Sequence, residues 1–317
     1  MKAGLVTHAD LDGIISAAIT ARAIGLKGMV LNNCCIFSSV RRLRYSIKRI
    51  VEYAQLTSAE NVFVSDLCPS EAILTDVSRM MSSLTDYGIR VVWIDHHEWS
   101  KKAVQELSKA GVELILRQYN SCAELVAEYW SLKDTFTRRL IQLAHDSDTG
   151  SYNNKLTLLI DRLLVWYQNP KIRYELLQSF AQGVLDTQRL LRLYERIKDS
   201  YETTLAKAID RLRSSAQRYY VDDRNYIVVG EVIRGRILLS ELKRALESEH
   251  SGAVLYVLVK PTEHRATLFS KELNVALIAR RLGGGGHREV AGIPFEAHSI
   301  DKIVEYVKWL YTKRAVC

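Results

Sequence analysis

The sequence has little that would mark a membrane or secreted protein. No apolar stretch approaches the about 18–20 residues needed to span a bilayer. The start, Met1-Lys2-Ala3, runs straight into a strand-like segment, so no secretory leader is expected and the expected location is the cytoplasm. Cysteine is sparse: five in 317 residues, at 34, 35, 68, 122 and 317. They show no paired CxxC spacing, which argues against a structural zinc site, and the expected soluble context argues against a disulfide framework. No repeat or low-complexity tail interrupts the chain, and no Gly-Lys-Ser/Thr follows its glycine run, which excludes a Walker A loop. What is present is a globular composition, 48% hydrophobic and 25% charged, long enough for two domains. The net charge of +8 suits a phosphate-bearing partner but suits plain solubility equally well.

Residues 1–118 alternate between strand-like apolar runs, at 3–7, 28–32, 61–65, 90–94 and 112–117, and helical patterns at 13–25, 39–55, 70–86 and 100–110. Strands separated by helices predict a parallel sheet with helices on both faces. Two more helices are expected at 122–132 and 136–145, and 156–218 reads as several helices with no strand signal. After a turn at 221–225 come a strand at 226–229, a helix at 239–249, strands at 253–259 and 266–270, a helix at 274–282 and an amphipathic segment at 300–313. The expected fold class is α/β: an N-terminal parallel-sheet domain over 1–186, a helical connector over 187–225, and a smaller C-terminal α/β domain over 226–317.

Two segments concentrate metal-binding side chains: His8-Ala-Asp10-Leu-Asp12-Gly13 and Asp95-His96-His97. Each ends an apolar run. Side chains at the carboxyl ends of parallel strands converge in the crevice where open α/β sheets bind ligands. In an extended segment His8, Asp10 and Asp12 point the same way, and Gly13 lets the backbone turn into a helix. A single Asp capping that helix is the plain alternative, but capping needs one Asp, not two and a His. Asp66 ends the 61–65 strand, so a third strand end carries an acid. Adjacent residues of an extended chain point apart, so one of His96 and His97 is expected to ligate while the other faces substrate or donates a proton. Asp146 and Asp148 near a helix end offer one ligand and one supporting group. Such a gathering of acids calls for a divalent cation, or two, to neutralise it.

Gly283-Gly284-Gly285-Gly286-His287-Arg288 is the second signal. Four glycines are costly to order, so their backbone N–H groups are expected to approach an anion, with His287 and Arg288 as further donors. Arg41, Arg42, Arg44, Lys48 and Arg49 form a basic helical face, read as solvated, with contact to a nucleic-acid backbone as the alternative.

The combination resembles the DHH phosphoesterase superfamily, in the RecJ-like branch with the glycine-rich DHH-associated C-terminal domain. It rests on His8-x-Asp10-x-Asp12-Gly13, Asp66, Asp95-His96-His97, Asp148-Thr149-Gly150 and Gly283-Gly-Gly-Gly-His287-x-x-x-Ala291-Gly292, in that order along nearly the whole chain. The resemblance implies two Mn²⁺, with Mg²⁺ or Co²⁺ as substitutes. By position His8, Asp10 and Asp66 would hold one, and Asp12, Asp66, His96 and Asp148 the other, with Asp66 bridging and His97 touching the scissile phosphate. Asn120, Ser121 and Glu124 match a cleft-lining segment, and Gly284, Gly285, Gly286 and His287 would bind the substrate's phosphate or terminal nucleotide. An Arg-Ser pair often precedes the glycine run in the family. Here Leu268-Phe269-Ser270-Lys271 stands there, so Ser270, with Arg265 or Lys271, would have to compensate. The implied function is a metal-dependent phosphodiesterase or small oligoribonuclease that hydrolyses short oligonucleotides or linear or cyclic dinucleotides through a water activated between two metals. The alternative is a RecJ-like 5′-to-3′ exonuclease on longer single strands. The expected partner is a short single-stranded nucleic acid or dinucleotide, with no membrane and with a homodimer left open.

Overall fold

The structure is a computed structural model and describes residues 2–232, 235–296 and 299–312. The chain divides into two compact units, Met1–Tyr194 and Glu195–Cys317.

The first unit is built on five parallel strands: β1 (Ala3–His8), β2 (Cys35–Ser38), β3 (Asn61–Ser65), β4 (Arg90–Asp95) and β5 (Glu113–Leu116), in the order β2-β1-β3-β4-β5. The helices are α1 (Leu11–Ile24), α2 (Gly28–Cys34), α3 (Leu43–Thr57, after a 3-10 turn at Val40–Arg42), α4 (Glu71–Asp86), α5 (Lys101–Lys109), α6 (Cys122–Tyr129), α7 (Thr135–Asp148), α8 (Lys155–Trp166), α9 (Pro170–Ala181) and α10 (Thr187–Glu195). Alternation along the strands supplies two apolar faces. Val6, Val62, Val64, Val91 and Trp93 pack with Ile47, Ile50, Leu74, Val77, Met81 and Leu107 of α3, α4 and α5. The opposite face meets α1 and α6. α1 is buried nearly all round, as its run Ile14-Ile-Ser-Ala-Ala-Ile19 requires, and is flanked by α6, α7 and α9. The chain reverses its direction of winding between β1 and β3, and that switch point is where an open sheet leaves a crevice.

One strand lies elsewhere than the apolar pattern predicts. Residues 28–32 are helical (α2), and the strand is 35–38. Met29 and Val30 are 81% and 58% exposed while Leu31 and Cys34 are buried. That i, i+3 spacing is helical, and a three-residue apolar run is too short to tell the two apart.

The second unit contains α11 (Lys198–Ser215), β6 (Gln217–Tyr220), β7 (Tyr226–Glu231), α12 (Leu239–Glu249), β8 (Ala253–Lys260), β9 (Arg265–Phe269), α13 (Val275–Arg281), β10 (Gly285–Gly286), β11 (Val290–Pro294) and α14 (Ser299–Thr312). Its sheet runs β10-β11-β9-β8-β7-β6, parallel only between β7 and β8. The core is formed by Leu255, Val257, Leu268, Val275, Ile278, Ile303 and Val307. β6 lies in a stretch expected to be helical. It is an edge strand, Gln-Arg-Tyr-Tyr, of which only Tyr219 packs against the core, too little to write an alternating pattern. The segment 187–225, expected as a connector, comprises α10, α11, β6 and the turn into β7. Among the described residues Cys34, Cys35, Cys68 and Cys122 form no disulfide; Cys317 lies outside them.

α7, which carries Asp148, is anchored at its start by Asp134. That carboxylate accepts from Thr137 N at 3.1 Å and Thr137 Oγ1 at 2.6 Å, and pairs with Arg22 of α1 at 3.1 Å. Burial opposes its charge, but Thr137 and Arg22 hold it well below the usual range. Asp134→Ala is expected to cost about 1 kcal/mol of stability in urea unfolding at pH 7. A depressed carboxylate stabilises above its unfolded pKa of about 3.9 and loses that contribution as pH falls further. The gap between wild type and variant should therefore shrink below about pH 4; a gap that stays constant down to pH 2 refutes the assignment.

Candidate metal centre

The carboxyl ends of β1, β3 and β4 meet at the switch point. Directly after β1, Asp10 caps α1, its Oδ1 accepting from Gly13 N at 3.0 Å while Oδ2 pairs with His8 Nδ1. Capping and pairing are thus both true of Asp10. Asp12, in the first turn, is buried, and the start of α6 is aimed at it: Cys122 N donates to Oδ2 at 2.7 Å and Ala123 N to Oδ1 at 2.9 Å. Gly13 is required here, since a Cβ would stand 2.3 Å from the carbonyl oxygen of His8.

Asp66, one residue past β3, has a left-handed backbone with φ 58° and is 3% exposed. That is a strained position for a residue with a side chain. Its N–H donates to Ile94 O at 3.1 Å, which ties it to β4. Oδ2 lies 3.8 Å from His8 Nδ1, and Oδ1 lies 3.5 Å from His96 Nε2. Among the described residues no group hydrogen-bonds Asp66 Oδ2, although it is buried.

His96 and His97 do not point apart as the extended backbone predicts: their rings meet edge to face with centroids 4.9 Å apart, and both approach Asp66 Oδ1, His96 Nε2 at 3.5 Å and His97 Nδ1 at 4.0 Å, because the strand has ended at Asp95. His96 Nδ1 lies 3.0 Å from Tyr119 O, a carbonyl that can only accept, so Nδ1 carries the proton. Nε2 then faces Asp66 Oδ1 at 3.5 Å, Asp12 Oδ2 at 3.7 Å and Asp148 Oδ2 at 3.7 Å. His97 Nδ1 is held by Asp95 Oδ1 at 2.7 Å. Asp95 Oδ2 accepts from Trp99 Nε1 at 2.7 Å, so this acid positions its neighbours. Of the two acids ending α7, Asp148 joins the cluster. Asp146 accepts from Ser151 Oγ, Asn153 N and Asn154 N at 2.6–2.9 Å and shapes the following turn. His145 pairs with Glu124 at 2.9 Å.

The ligand atoms fall into groups whose members lie within 4.8 Å of one another: His8, Asp10 and Asp66; Asp12, His96 and Asp148; and Asp66, Asp95, His96 and His97. All six residues expected as ligands are brought together. Burial raises Asp12 to about 7 against the pull of His96, with Asp148 and Asp10 adding repulsion. Burial, then Asp12 and Asp10, drives Asp66 well above the carboxylate range. Desolvation opposes charge on the imidazoles, but the acids outweigh it: His8 rises to about 10 beside Asp10, and His96 to about 11 beside Asp66, Asp12 and Asp148. Crowded, buried carboxylates whose charge is disfavoured by burial and mutual repulsion, together with an orphaned buried oxygen on Asp66, fit a site for divalent metal with mixed oxygen and nitrogen ligands.

Around this centre Asn120 is exposed beside the start of α6 and Ser121 is buried at its N-cap. In the second unit Arg265 pairs with Glu263 at 2.7 Å and is exposed. Ser270, expected to touch substrate, is buried instead: its hydroxyl donates to Val254 O and accepts from Glu272 N and Leu273 N. Within the glycine run, Gly284 N donates to Ala279 O and His287 N to Val290 O. A Cβ at Gly284 would stand 2.0 Å from Gly292 O, and one at Gly286, where φ is 144°, would strike Ala291. Close packing against β11 is therefore one reason for these glycines, and the amides of Gly283, Gly284 and His287 are engaged inside the unit, Gly283 N donating to Arg280 O at 3.1 Å. Arg288 is exposed and His287 half-buried.

One supporting residue carries no sequence signal: Arg173 of α9, whose Nε donates to Ala9 O at 2.7 Å, between His8 and Asp10. A contact spanning 164 residues leaves no local pattern to read.

Two outcomes test the centre. Mn²⁺ added to EDTA-treated protein is expected to raise the melting temperature, equivalent to about 2.7 kcal/mol at a hundredfold excess over Kd. The gain should weaken at acid pH because the ligands must shed protons, and should be lost in Asp66→Asn. Gly13→Ala should cost about 1–3 kcal/mol in urea unfolding by forcing the His8 backbone aside. A wild-type melt that ignores Mn²⁺ refutes the centre, and an undisturbed Gly13→Ala protein refutes the packing argument.

Residues 2–148 match the DHH family, N-terminal domain. No curated protein matches the sequence. Among solved structures, the DHH domain of a protein described as a member of a family of ribosomal proteins is similar with a TM-score of 0.69 at 15% identity, covering 97% of this chain and 86% of that one. The Mn²⁺ complex of RecJ from Thermus thermophilus has a TM-score of 0.55 at 14% identity, covering 96% of this chain and 51% of that one. The pGpG-specific phosphodiesterase PggH from Vibrio cholerae has a TM-score of 0.51 at 11% identity, covering 99% of each chain. At these identities the likeness is one of fold. Residues 2–148 thus match a DHH-family N-terminal domain in sequence, and along nearly its whole length the chain shares the fold of the RecJ-like proteins.

Proposed function

We propose that this protein is a divalent-metal-dependent phosphodiesterase acting in the cytoplasm on short oligonucleotides or on linear or cyclic dinucleotides, releasing mononucleotides. The observation that carries the reading is Asp66. Its two oxygens face two separate groups, Oδ2 towards His8 and Oδ1 towards His96, as a bridging carboxylate must. In this reading His8, Asp10 and Asp66 hold one Mn²⁺, and Asp12, Asp66, His96 and Asp148 hold a second. Such a cation pair supplies positive charge to a phosphodiester and acidity to a bound water.

The chain's own residues do the rest. The α6 amides fix Asp12, and Tyr119 O fixes the tautomer of His96 with Nε2 turned to the acids. Asp95 commits His97 Nδ1, so contact with a phosphate oxygen falls to His97 Nε2, which stabilises or protonates it. Asn120 and Ser121 border the centre. Gly284, Gly285, Gly286, His287, Arg288 and Arg265 are the candidates for holding a terminal phosphate or nucleotide; Ser270, turned inward, is left out. The pGpG specificity in the name of the Vibrio protein supports the preference for short substrates. A second reading, a single-strand exonuclease of the RecJ kind on longer DNA or RNA, is favoured by one observation: the exposed cations around α3.

Purified protein with Mn²⁺ and a labelled panel of pGpG, cyclic dinucleotides and 5- and 25-nucleotide RNA and DNA is expected to turn over the short substrates fastest. Asp66→Asn should lower kcat at least a hundredfold, and His97→Ala should lower kcat more than it raises KM. Fastest turnover of the 25-nucleotide DNA favours the second reading. Full activity in Asp66→Asn refutes both.

A further inference from the structure

Beyond β2 the chain enters a run of cations that the metal centre does not use. Arg41 and Arg42 close the 3-10 turn, and α3 continues with Arg44, Tyr45, Lys48 and Arg49. Helical spacing buries Leu43, Ser46, Ile47 and Ile50 and turns the others outward. Tyr45 is 62% exposed, and the Arg49 guanidinium lies 5.9 Å from its ring centroid. A solvated helix face ordinarily mixes both signs, whereas residues 40–51 contain five cations and no acid. Arg44 pairs with Asp76 at 2.6 Å and Lys48 reaches Glu52 at 3.9 Å. Among the described residues no carboxylate pairs with Arg41, Arg42 or Arg49.

The location matters as much as the charge. β2 pairs with β1 so that Ser38 stands beside His8, and neighbouring strands are about 4.8 Å apart. The turn carrying Arg41 and Arg42 begins two residues after Ser38. The basic face therefore starts at the rim of the metal centre. From there α3 carries it for about 12 Å, from Arg41 to Arg49, at the helical rise.

We propose that this face binds single-stranded nucleic acid, the arginines holding phosphates of nucleotides beyond the one at the metal centre and Tyr45 offering its ring to a base. The proposal rests on the phosphodiesterase reading and narrows it, since it favours oligonucleotides long enough to pass from the centre onto α3 over dinucleotides. Planar guanidinium groups match phosphate oxygens in pairs, and an exposed ring beside them accepts any base. An acidic protein surface or a lipid headgroup offers the charge but no base to stack.

Fluorescence anisotropy of a labelled 12-nucleotide single-stranded RNA, in EDTA to prevent cleavage and over a range of KCl, tests this. The Arg41→Gln/Arg42→Gln/Arg49→Gln protein should bind at least tenfold more weakly at 50 mM KCl. Its slope of log affinity against log salt should be shallower by about 2, from about 0.7 per lost phosphate contact. Tyr45→Ala should weaken binding at least fivefold, and both variants should melt like wild type and hydrolyse pGpG at the wild-type rate. Wild-type affinity and slope in the triple variant overturn the proposal. So does an inorganic polyphosphate that displaces the RNA equally well per charge while Tyr45→Ala is silent. If binding depends on the arginines but neither pGpG nor RNA is cleaved with Mn²⁺, the surface stands and the phosphodiesterase reading falls.

Discussion

Four carboxylates, from Asp10, Asp12, Asp66 and Asp148, are forced into one small, largely buried space, and the rest of the first unit is arranged around that repulsion. Two like charges 4 Å apart near a protein surface repel on the order of 4 kcal/mol, so the cluster persists only with compensation built in. The compensation comes from distant parts of the chain. The N-terminal amides of α6 take Asp12, the first turn of α1 and His8 take Asp10, and His96 stands between Asp12, Asp66 and Asp148. Even so, Asp12 and Asp66 are pushed towards their protonated forms. A divalent cation among them would relieve that repulsion.

What could be read in the sequence follows from how local each cause is. β1, β3 and β4 are buried on both faces, so they write continuous apolar runs, and the acids at their ends stand out against them. His96 and His97 lie just beyond the end of β4, where strand alternation no longer applies, and their rings come together beside Asp66. The edge strands were harder. β2 is four residues long and follows a helix whose apolar residues imitate a strand, and of β6 only Tyr219 packs against the core. The supporting groups were hidden for a different reason. Arg173 on Ala9 O, the α6 amides on Asp12 and Tyr119 O on His96 are contacts between segments far apart in the chain, and backbone atoms carry no residue signature.

The glycine run shows the opposite failure, a clear signal with two causes. Gly284 and Gly286 have no room for a Cβ because β10 and α13 press against β11. Any chain with that packing needs glycine there, whether or not an anion binds. Packing does not explain Gly285, where a Cβ would meet nothing. Nor does it call for the exposed Arg288 that follows. Those positions, not the whole run, retain the argument for a ligand.

The chemistry of the centre also limits what the centre can decide. Carboxylates and imidazoles that gather cations act on a phosphate, and a phosphate is the same in RNA, DNA, a cyclic dinucleotide or a long strand. Nothing among His8, Asp10, Asp12, Asp66, His96, His97 and Asp148 reads a base or a sugar. Discrimination must therefore reside where the chain offers planar rings, forked cations or unencumbered amides. In the first unit that description fits Tyr45 and the arginines at the rim beside β2, which sequence alone reads as ordinary solvated charge. In the second it fits Arg288. A fold shared by proteins named for different substrates is what such a division of labour produces: a fixed centre for the phosphate, with selectivity carried by surfaces that vary around it.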